Sequence, residues 1–530
     1  MRVSASIILL LMLPAATVYA KPALCGEGVV WEDLNSNGIH DPGERPLAGI
    51  KVSDGVKLAL TDAAGRYQLA AGDGRTLFVI KPAGYDLPAR SDGLPDFWSN
   101  LRTEAGPKLK YGGIPVALAA CRNFGLLPQA DASTSANPLE VLVFSDSQTK
   151  SLADIDYYRR DIVEPLAGTH SAVLGITLGD LVNDDLSLYP KLNQVTRMLQ
   201  VPWLHIAGNH DLDFDATRDE DSLLTYRNTY GPDTFAWEEA QAVFIGMDDV
   251  VYQPGEKPAY VGGLRAEQFA FLEAYLPSVP KDRLLVIGVH IPFFDAKPNV
   301  ETFRHADRAR LFGLLKDFPH VLLLSGHSHT QQHVDHGIAS DWHGATPLHE
   351  YNVGAACGAF WSGVKDAQGI PDTTMADGTP NGYASLQVGA GGEYSLAWHP
   401  ARDPDRAMTL HAPEVLRKGA YPAFAVYANV FMGQDDTKVE YRIDQGKWKA
   451  MVLVRQPDPD LLAENMRDDS ADTLRGYDRA PEAEPSRHLW RGALPTDLAV
   501  GEHRIEVHAN DQWRGDQTAT TSYRLQEARE

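Results

Sequence analysis

Hydrophobic and polar positions fall into three successive regimes along this chain. Between residue 25 and about residue 129, short apolar-rich runs at 28–31, 50–52, 67–69 and 77–80 are separated by Gly, Asp and Pro turns, the pattern of a small β-sandwich. Ala, Ser, Thr and Asn fill 131–138, a linker composition that places a boundary there. From 139 to about 400, apolar runs of strand length at 139–144, 173–178, 203–207, 243–247, 284–289 and 321–324 alternate with amphipathic stretches at 187–199, 265–276 and 305–316. That alternation predicts an α/β domain with helices packed on a buried sheet. After about 403, strands return at 423–431, 438–443, 448–454 and 501–508, interrupted by a polar, acidic loop at 457–485. A second β-sandwich is the reading, and no internal repeat of fixed period occurs.

The expected organisation is therefore a segment 1–20 followed by domains at 21–130, 131–400 and 401–530. Segment 1–20 carries Arg2, an apolar run over 7–13 and then Val18-Tyr19-Ala20, a small-x-small pattern suited to signal peptidase. Export to the periplasm or beyond is expected, with Lys21 as first mature residue. The apolar run is shorter than the roughly 20 residues a membrane span needs, and no later run reaches that length. Leu24 is bulky for a residue preceding a lipidated cysteine, which argues against an anchor at Cys25.

Composition adds limits rather than a function. Hydrophobic residues at 44% and charged residues at 22% suit folded, soluble domains. A formal net charge of -23 repels polyphosphate backbones and offers no basic stripe, so nucleic acid is not an expected partner. The same acidity also serves as a solubility device. Three cysteines are too few for a disulfide scaffold. Cys25 and Cys121 flank the first domain, where one bridge would contribute about 4–5 kcal/mol by loop closure, or both remain buried thiols. Cys357 lies in a Gly/Ala-rich stretch.

Five short motifs carry the chemistry: Ser145-Asp146-Ser147-Gln148, Gly179-Asp180-Leu181-Val182-Asn183-Asp184, Gly208-Asn209-His210-Asp211, Gly288-Val289-His290 and Gly326-His327-Ser328-His329. Each follows an apolar run, and so lies at a carboxyl-end loop, where open α/β sheets bind ligands. Carboxylate, amide oxygen and imidazole suit Mn, Fe, Zn or Mg. Two ions about 3.5–4 Å apart require a bridging oxygen ligand, and together they activate a water and neutralise charge on a phosphoryl group.

In this order the set resembles the calcineurin-like metallophosphoesterase superfamily, with its D-x-H, G-D-x-x-x-D, G-N-H-D/E, G-H and G-H-x-H pattern. The resemblance implies a two-sheet β-sandwich core flanked by helices. It implies that Asp146, Asp180 and His329 bind one metal, and Asp180, Asn209, His290 and His327 the other, with Asp180 bridging. His210 is implied to donate a hydrogen bond or proton to the phosphoryl or leaving-group oxygen, and Asp211, its neighbour in sequence, is expected to orient its imidazole. Gln148 departs from the pattern by standing where a histidine is usual. Its amide oxygen is a weaker ligand than imidazole, although some D-x-Q members are regarded as phosphatases.

Two further signals stand outside these motifs. The Gly-rich stretch 354–361 and the segment 379–383 carry Trp361 and Tyr383, which either border the site and stack on a sugar or organic group or pack beneath a loop. His343 and His349 nearby read as hydrogen-bonded structure. In the first domain, Asp33, Asn35, Asn37, Ile39, Asp41 and Glu44 fit a calcium-loop spacing with Gly38 at the turn, between β-type flanks. The stretch is similar to calcium loops of bacterial surface β-domains, and its other reading is an ion-free Asn/Gly turn. With β-domains on both sides, and with the 486–490 and 501–504 stretches of the tail, the chain resembles a bacterial exported subfamily of these phosphoesterases.

The expected activity is metal-dependent hydrolysis of a small phosphate ester, mono- or diester, by a dinuclear-metal-activated water. The alternative is a non-catalytic surface protein with a vestigial metal site, whose β-domains contact envelope or carbohydrate.

Overall fold

The computed structural model describes residues 27–117, 122–129, 137–297, 299–421 and 424–528. The expected signal segment, Cys25 and Cys121 lie outside the described residues.

Two facing sheets form the central domain. Its strands are β1 (Leu139–Phe144), β2 (Leu174–Leu178), β3 (Trp203–Ile206), β4 (Thr234–Glu238), β5 (Ala242–Met247), β6 (Leu284–Gly288), β7 (Val321–Ser325), β8 (Gln332–His336), β9 (Leu348–Asn352), β10 (Gly382–Val388) and β11 (Tyr394–Pro400). One sheet runs β3-β2-β1-β10-β11 and the other β4-β5-β6-β7-β9-β8. β1, β2 and β3 are mutually parallel, as are β5, β6, β7 and β9. Strands β2, β5 and β6 are buried along their whole length, which is why they read as continuous apolar runs rather than alternating ones. The sheets approach closely at Gly288, where a Cβ would lie 2.6 Å from Cδ1 of Ile206.

Helices cover the outer faces: α1 (Leu152–Tyr158), α2 (Tyr189–Thr196), α3 (Leu224–Tyr230), α4 (Ala266–Tyr275) and α5 (His305–Leu315). α4 buries Gln268, Phe271, Leu272 and Tyr275, and α5 buries Arg308, Leu311, Phe312 and Leu315, the i, i+3, i+4, i+7 stripes that make both legible.

The N-terminal domain is a sandwich of two four-stranded sheets. Its core is continuous with that of the central domain, Phe78 packing on Phe271 of α4. Lys51 reaches Glu238 of β4 at 2.6 Å. The linker composition at 131–138 therefore marks no break in packing.

The C-terminal domain pairs a four-stranded and a five-stranded sheet around its own core, including Val426, Ile505, Val507 and Leu525. The expected acidic loop at 457–485 is corrected here, because a helix, α6 (Pro459–Asp469), occupies its first part. Asp458 caps it, accepting from the backbone N–H of Asp460 at 2.9 Å and of Leu461 at 3.2 Å, and Pro459 sits in its first turn.

Candidate metal centre

Loops at the carboxyl ends of β1, β2, β3, β6 and β7 bring the five motifs together. The geometry demands unusual backbone. Thirteen non-glycine residues among those described have positive φ, and eight of them, Asp146, Gln148, Asp180, Asp184, His327, His329, Phe360 and Trp361, belong to this site and its rim. Strain concentrated in this way is characteristic of sites whose surroundings over-determine side-chain direction. The glycines that precede ligands have a steric reason. A Cβ at Gly208 would fall 2.2 Å from Oδ1 of Asp180, and one at Gly326 would fall 2.8 Å from Oδ2 of Asp146.

One half of the site is tightly gathered. Ligand atoms of Asp180, His290 and His327 all lie within 4.8 Å of one another. Nε2 of His290 has Asn209 Oδ1 at 3.0 Å, His327 Nδ1 at 3.1 Å and Asp180 Oδ2 at 3.3 Å around it. A single proton cannot satisfy three such neighbours, whereas one cation can be shared by all four atoms. The other nitrogen of His290, Nδ1, donates to the Leu178 carbonyl at 2.8 Å, fixing the tautomer that leaves Nε2 free to ligate. Burial opposes charge on His290, yet the Asp180 carboxylate beside it wins and pushes its pKa up to about 10. Burial and the His290 cation push His327 down to about 4. The nest thus draws in one positive charge, the electrostatic role a metal ion fills.

The other half contains Asp146 and His329, with Nε2 of His329 3.4 Å from Oδ1 of Asp146. His329 is oriented like His290, through Nδ1 donating to the Gly358 carbonyl at 2.9 Å. Beyond that long contact with His329, Oδ1 of Asp146 is buried with no hydrogen bond, an oxygen that a cation would satisfy. Gln148 is buried beside it, with Nε2 3.5 Å from Asn183 Oδ1 and Oε1 3.9 Å from the Cys357 thiol. The donor set fits two divalent ions, the Asp146 half being the poorer in strong donors.

His210 lines the cavity above Asp180, and its backbone N–H donates to Asp180 Oδ1 at 2.8 Å. The expectation that Asp211 orients its imidazole is corrected. Nδ1 of His210 lies 2.7 Å from Asp184 Oδ1, whereas the Asp211 carboxylate turns inward. There Asp211 accepts from the N–H groups of Gly208 and Leu181 at 2.9 and 3.2 Å and from the Tyr189 hydroxyl at 3.0 Å. Asp211 holds the loop, and Asp184 holds the imidazole. Tyr111 of the N-terminal domain donates to the Asp184 carbonyl at 2.9 Å, tying that domain to the site.

The substrate-contact expectations are corrected too. Trp361 is buried and donates through Nε1 to the Ser147 carbonyl at 3.0 Å, bracing the Asp146 loop from behind. Tyr383 stacks on His399 at 4.9 Å and packs against Phe144, away from the cavity. The aromatic rings at the cavity are Phe360, 4.9 Å from the His329 ring, and Tyr260, edge-on to His327 at 6.0 Å. Asp249 also went unread: its carboxylate accepts from the N–H groups of His290 and Ile291 and so sets the His290 turn. Its signal was an acidic pair, Asp248-Asp249, directly after β5. His349 is structural, bonded to His333 and Tyr394 at 3.0 and 2.7 Å.

In the N-terminal domain the 33–44 loop closes on itself. Asp33 accepts from the N–H groups of Asn37 and Gly38, the side-chain amides of Asn35 and Asn37 donate to Asp41, and Glu44 accepts from the N–H groups of Leu34 and Asp41.

Three consecutive stretches match family descriptions: the N terminal of calcineurin-like phosphoesterase at residues 34–111, calcineurin-like phosphoesterase itself at 139–331, and its C terminal at 350–516. The last begins within β9, so it includes the 354–361 loop that braces the metal centre. No curated protein matches the sequence. Among solved structures the chain is similar to a purple acid phosphatase from yellow lupin (Lupinus luteus) seeds, with 12% identity, 68% of each chain covered and a TM-score of 0.39. It is also similar to a dimetal phosphatase from Danio rerio, with 14% identity, 49% of this chain and 98% of that one covered, and a TM-score of 0.32.

Proposed function

The chain belongs to the calcineurin-like phosphoesterases and is a phosphoric ester hydrolase, and from that premise we propose that it cleaves a small phosphate mono- or diester in the periplasm or outside the cell. The observation that carries the reading is the convergence of Asn209, Asp180 and His327 on Nε2 of His290. Asp180, Asn209, His290 and His327 would hold one divalent ion, and Asp146, Asp180, His329 and Gln148 the other, drawn from Mn, Fe, Zn or Mg. When bound, such a pair supplies Lewis acidity and an activated water.

The chain's own groups do the rest. Asp184 fixes Nδ1 of His210, leaving Nε2 to hold a proton toward the phosphoryl or leaving-group oxygen. Trp361 and Asp211 keep the ligand loops in place. Protein loaded with each divalent metal and assayed on chromogenic mono- and diesters tests the reading. Metal-dependent turnover that falls in His210→Ala supports it, and turnover that persists undiminished in that variant sinks it.

Export rests on the residue pattern of 1–20, and the N-terminal residue of the mature protein, expected to be Lys21, tests it. A calcium ion on the 33–44 loop belongs to the same proposal, supported by the ligand spacing and the abundance of calcium outside the cell. Calcium should raise the melting temperature of wild type and not of Glu44→Gln.

A further inference from the structure

The C-terminal domain supplies one wall of the catalytic cavity, and that wall is negatively charged. The cavity, about 330 Å³, has the metal-binding side chains as its floor, Tyr260 and Phe360 at its sides, and Pro481, Glu482 and Glu484 across from them. The wall is fastened rather than draped. Buried Asn465 of α6 donates to the Pro481 carbonyl at 2.8 Å and accepts from the Ala483 N–H at 2.9 Å. The Glu484 N–H donates to the Ala376 carbonyl at 2.8 Å, so the strap is anchored to both domains. Glu482 pairs with Arg479 at 3.1 Å, while Glu484 makes no ion pair among the described residues. Phe360 is 49% exposed on a left-handed backbone, which leaves a ring face available beside the strap. Among the described residues lining the cavity there is no lysine or arginine.

These features discriminate between ester classes. A phosphoryl group satisfies the floor, but any further negative charge on a substrate would meet the exposed carboxylates at the cavity mouth, above all that of Glu484, which no cation neutralises among the described residues. Polyphosphates, nucleotides and dicarboxylated alcohols are therefore disfavoured. A positive charge on an ester arm gains from the same wall: a carboxylate for charge neutralisation and aromatic faces for cation–π attraction. We propose that the site selects phosphoric esters bearing an ammonium group on one ester arm, amino-alcohol phosphates in chemical class, and that Glu484 is the residue that reads the cation. The inference rests on the hydrolase reading above and deepens it.

The test compares kcat/KM of the metal-loaded full chain for 4-nitrophenyl phosphorylcholine and for ethyl 4-nitrophenyl phosphate, which share a leaving group and differ in one arm. Wild type should favour the cationic ester by about 3- to 5-fold, the scale of one solvent-exposed cation contact. Glu484→Gln should bring the ratio close to one, and Glu484→Lys should invert it. A wild-type ratio near one, or a preference that survives both substitutions, overturns the inference while leaving the hydrolase reading intact. No turnover of any ester with any divalent metal overturns both.

Discussion

Nδ1 of His210 lies 2.7 Å from Oδ1 of Asp184, and the carboxylate of Asp211, its neighbour in sequence, faces the opposite way. Asp184 lies across a loop from the imidazole and is itself held by Tyr111 of the N-terminal domain, so the orientation of His210 is a tertiary property. Asp184→Asn should lower kcat by about 10- to 100-fold with metal content unchanged. Because Asp184 acts through His210, the double variant with His210→Ala should be no slower than His210→Ala alone. Additive losses would show that Asp184 has a separate role.

The two halves of the metal centre should differ in affinity. The proposed ligands Asp180, Asn209, His290 and His327 converge closely, whereas the Asp146 half would rely on an amide at Gln148. Calorimetric titration of metal-stripped protein should resolve one tight and one weaker equivalent. Gln148→His should strengthen the weaker one by about 10-fold, as imidazole replaces an amide oxygen. Stripping should also lower the melting temperature, since metal at a thousand times its Kd contributes about 4 kcal/mol. Equal affinities in wild type would contradict this asymmetry.

Trp361 offers a separate handle on the weaker half. Its Nε1 donates to the carbonyl of Ser147, between Asp146 and Gln148. Trp361→Phe keeps most of the buried ring and loses that bond, a cost of about 1 kcal/mol in stability. The weaker metal equivalent should loosen while the tight one is unaffected. If both loosen together, Trp361 supports the whole domain rather than that loop.

What could be read from the chain follows from physics that is local. Ligands at the ends of β1, β2, β3, β6 and β7 were legible because buried parallel strands are continuous apolar runs and a ligand must follow each directly. The His210 partner was misread because adjacency suggested Asp211. In the tight 3-10 turn at Asn209–Asp211, successive side chains point about 120° apart, so neighbours diverge. The 354–361 loop was recognisable from its glycines, but left-handed φ at both Phe360 and Trp361 decides which ring faces the cavity. Tyr260 and Glu484 carried no local signal. Their relation to His327 and Ala376 exists only after segments far apart in sequence have packed.

Acid stability provides a further test, away from the metal ligands. His205 on β3 is buried against the Tyr230 ring at 4.4 Å, and neither of its ring nitrogens has a partner. Burial pushes its pKa down to about 3. The unfolded chain, with an ordinary value near 6.5, binds the proton first, so this group costs stability as pH falls from about 6.5 towards 3. At pH 5 the cost is about 2 kcal/mol. His205→Leu has similar volume and cannot titrate. Its unfolding free energy should fall less than that of wild type between pH 7 and pH 5, by about that amount. Urea denaturation at the two pH values measures the difference, with other titrating groups common to both proteins. Parallel losses in the two would mean that His205 finds a proton acceptor in the folded state.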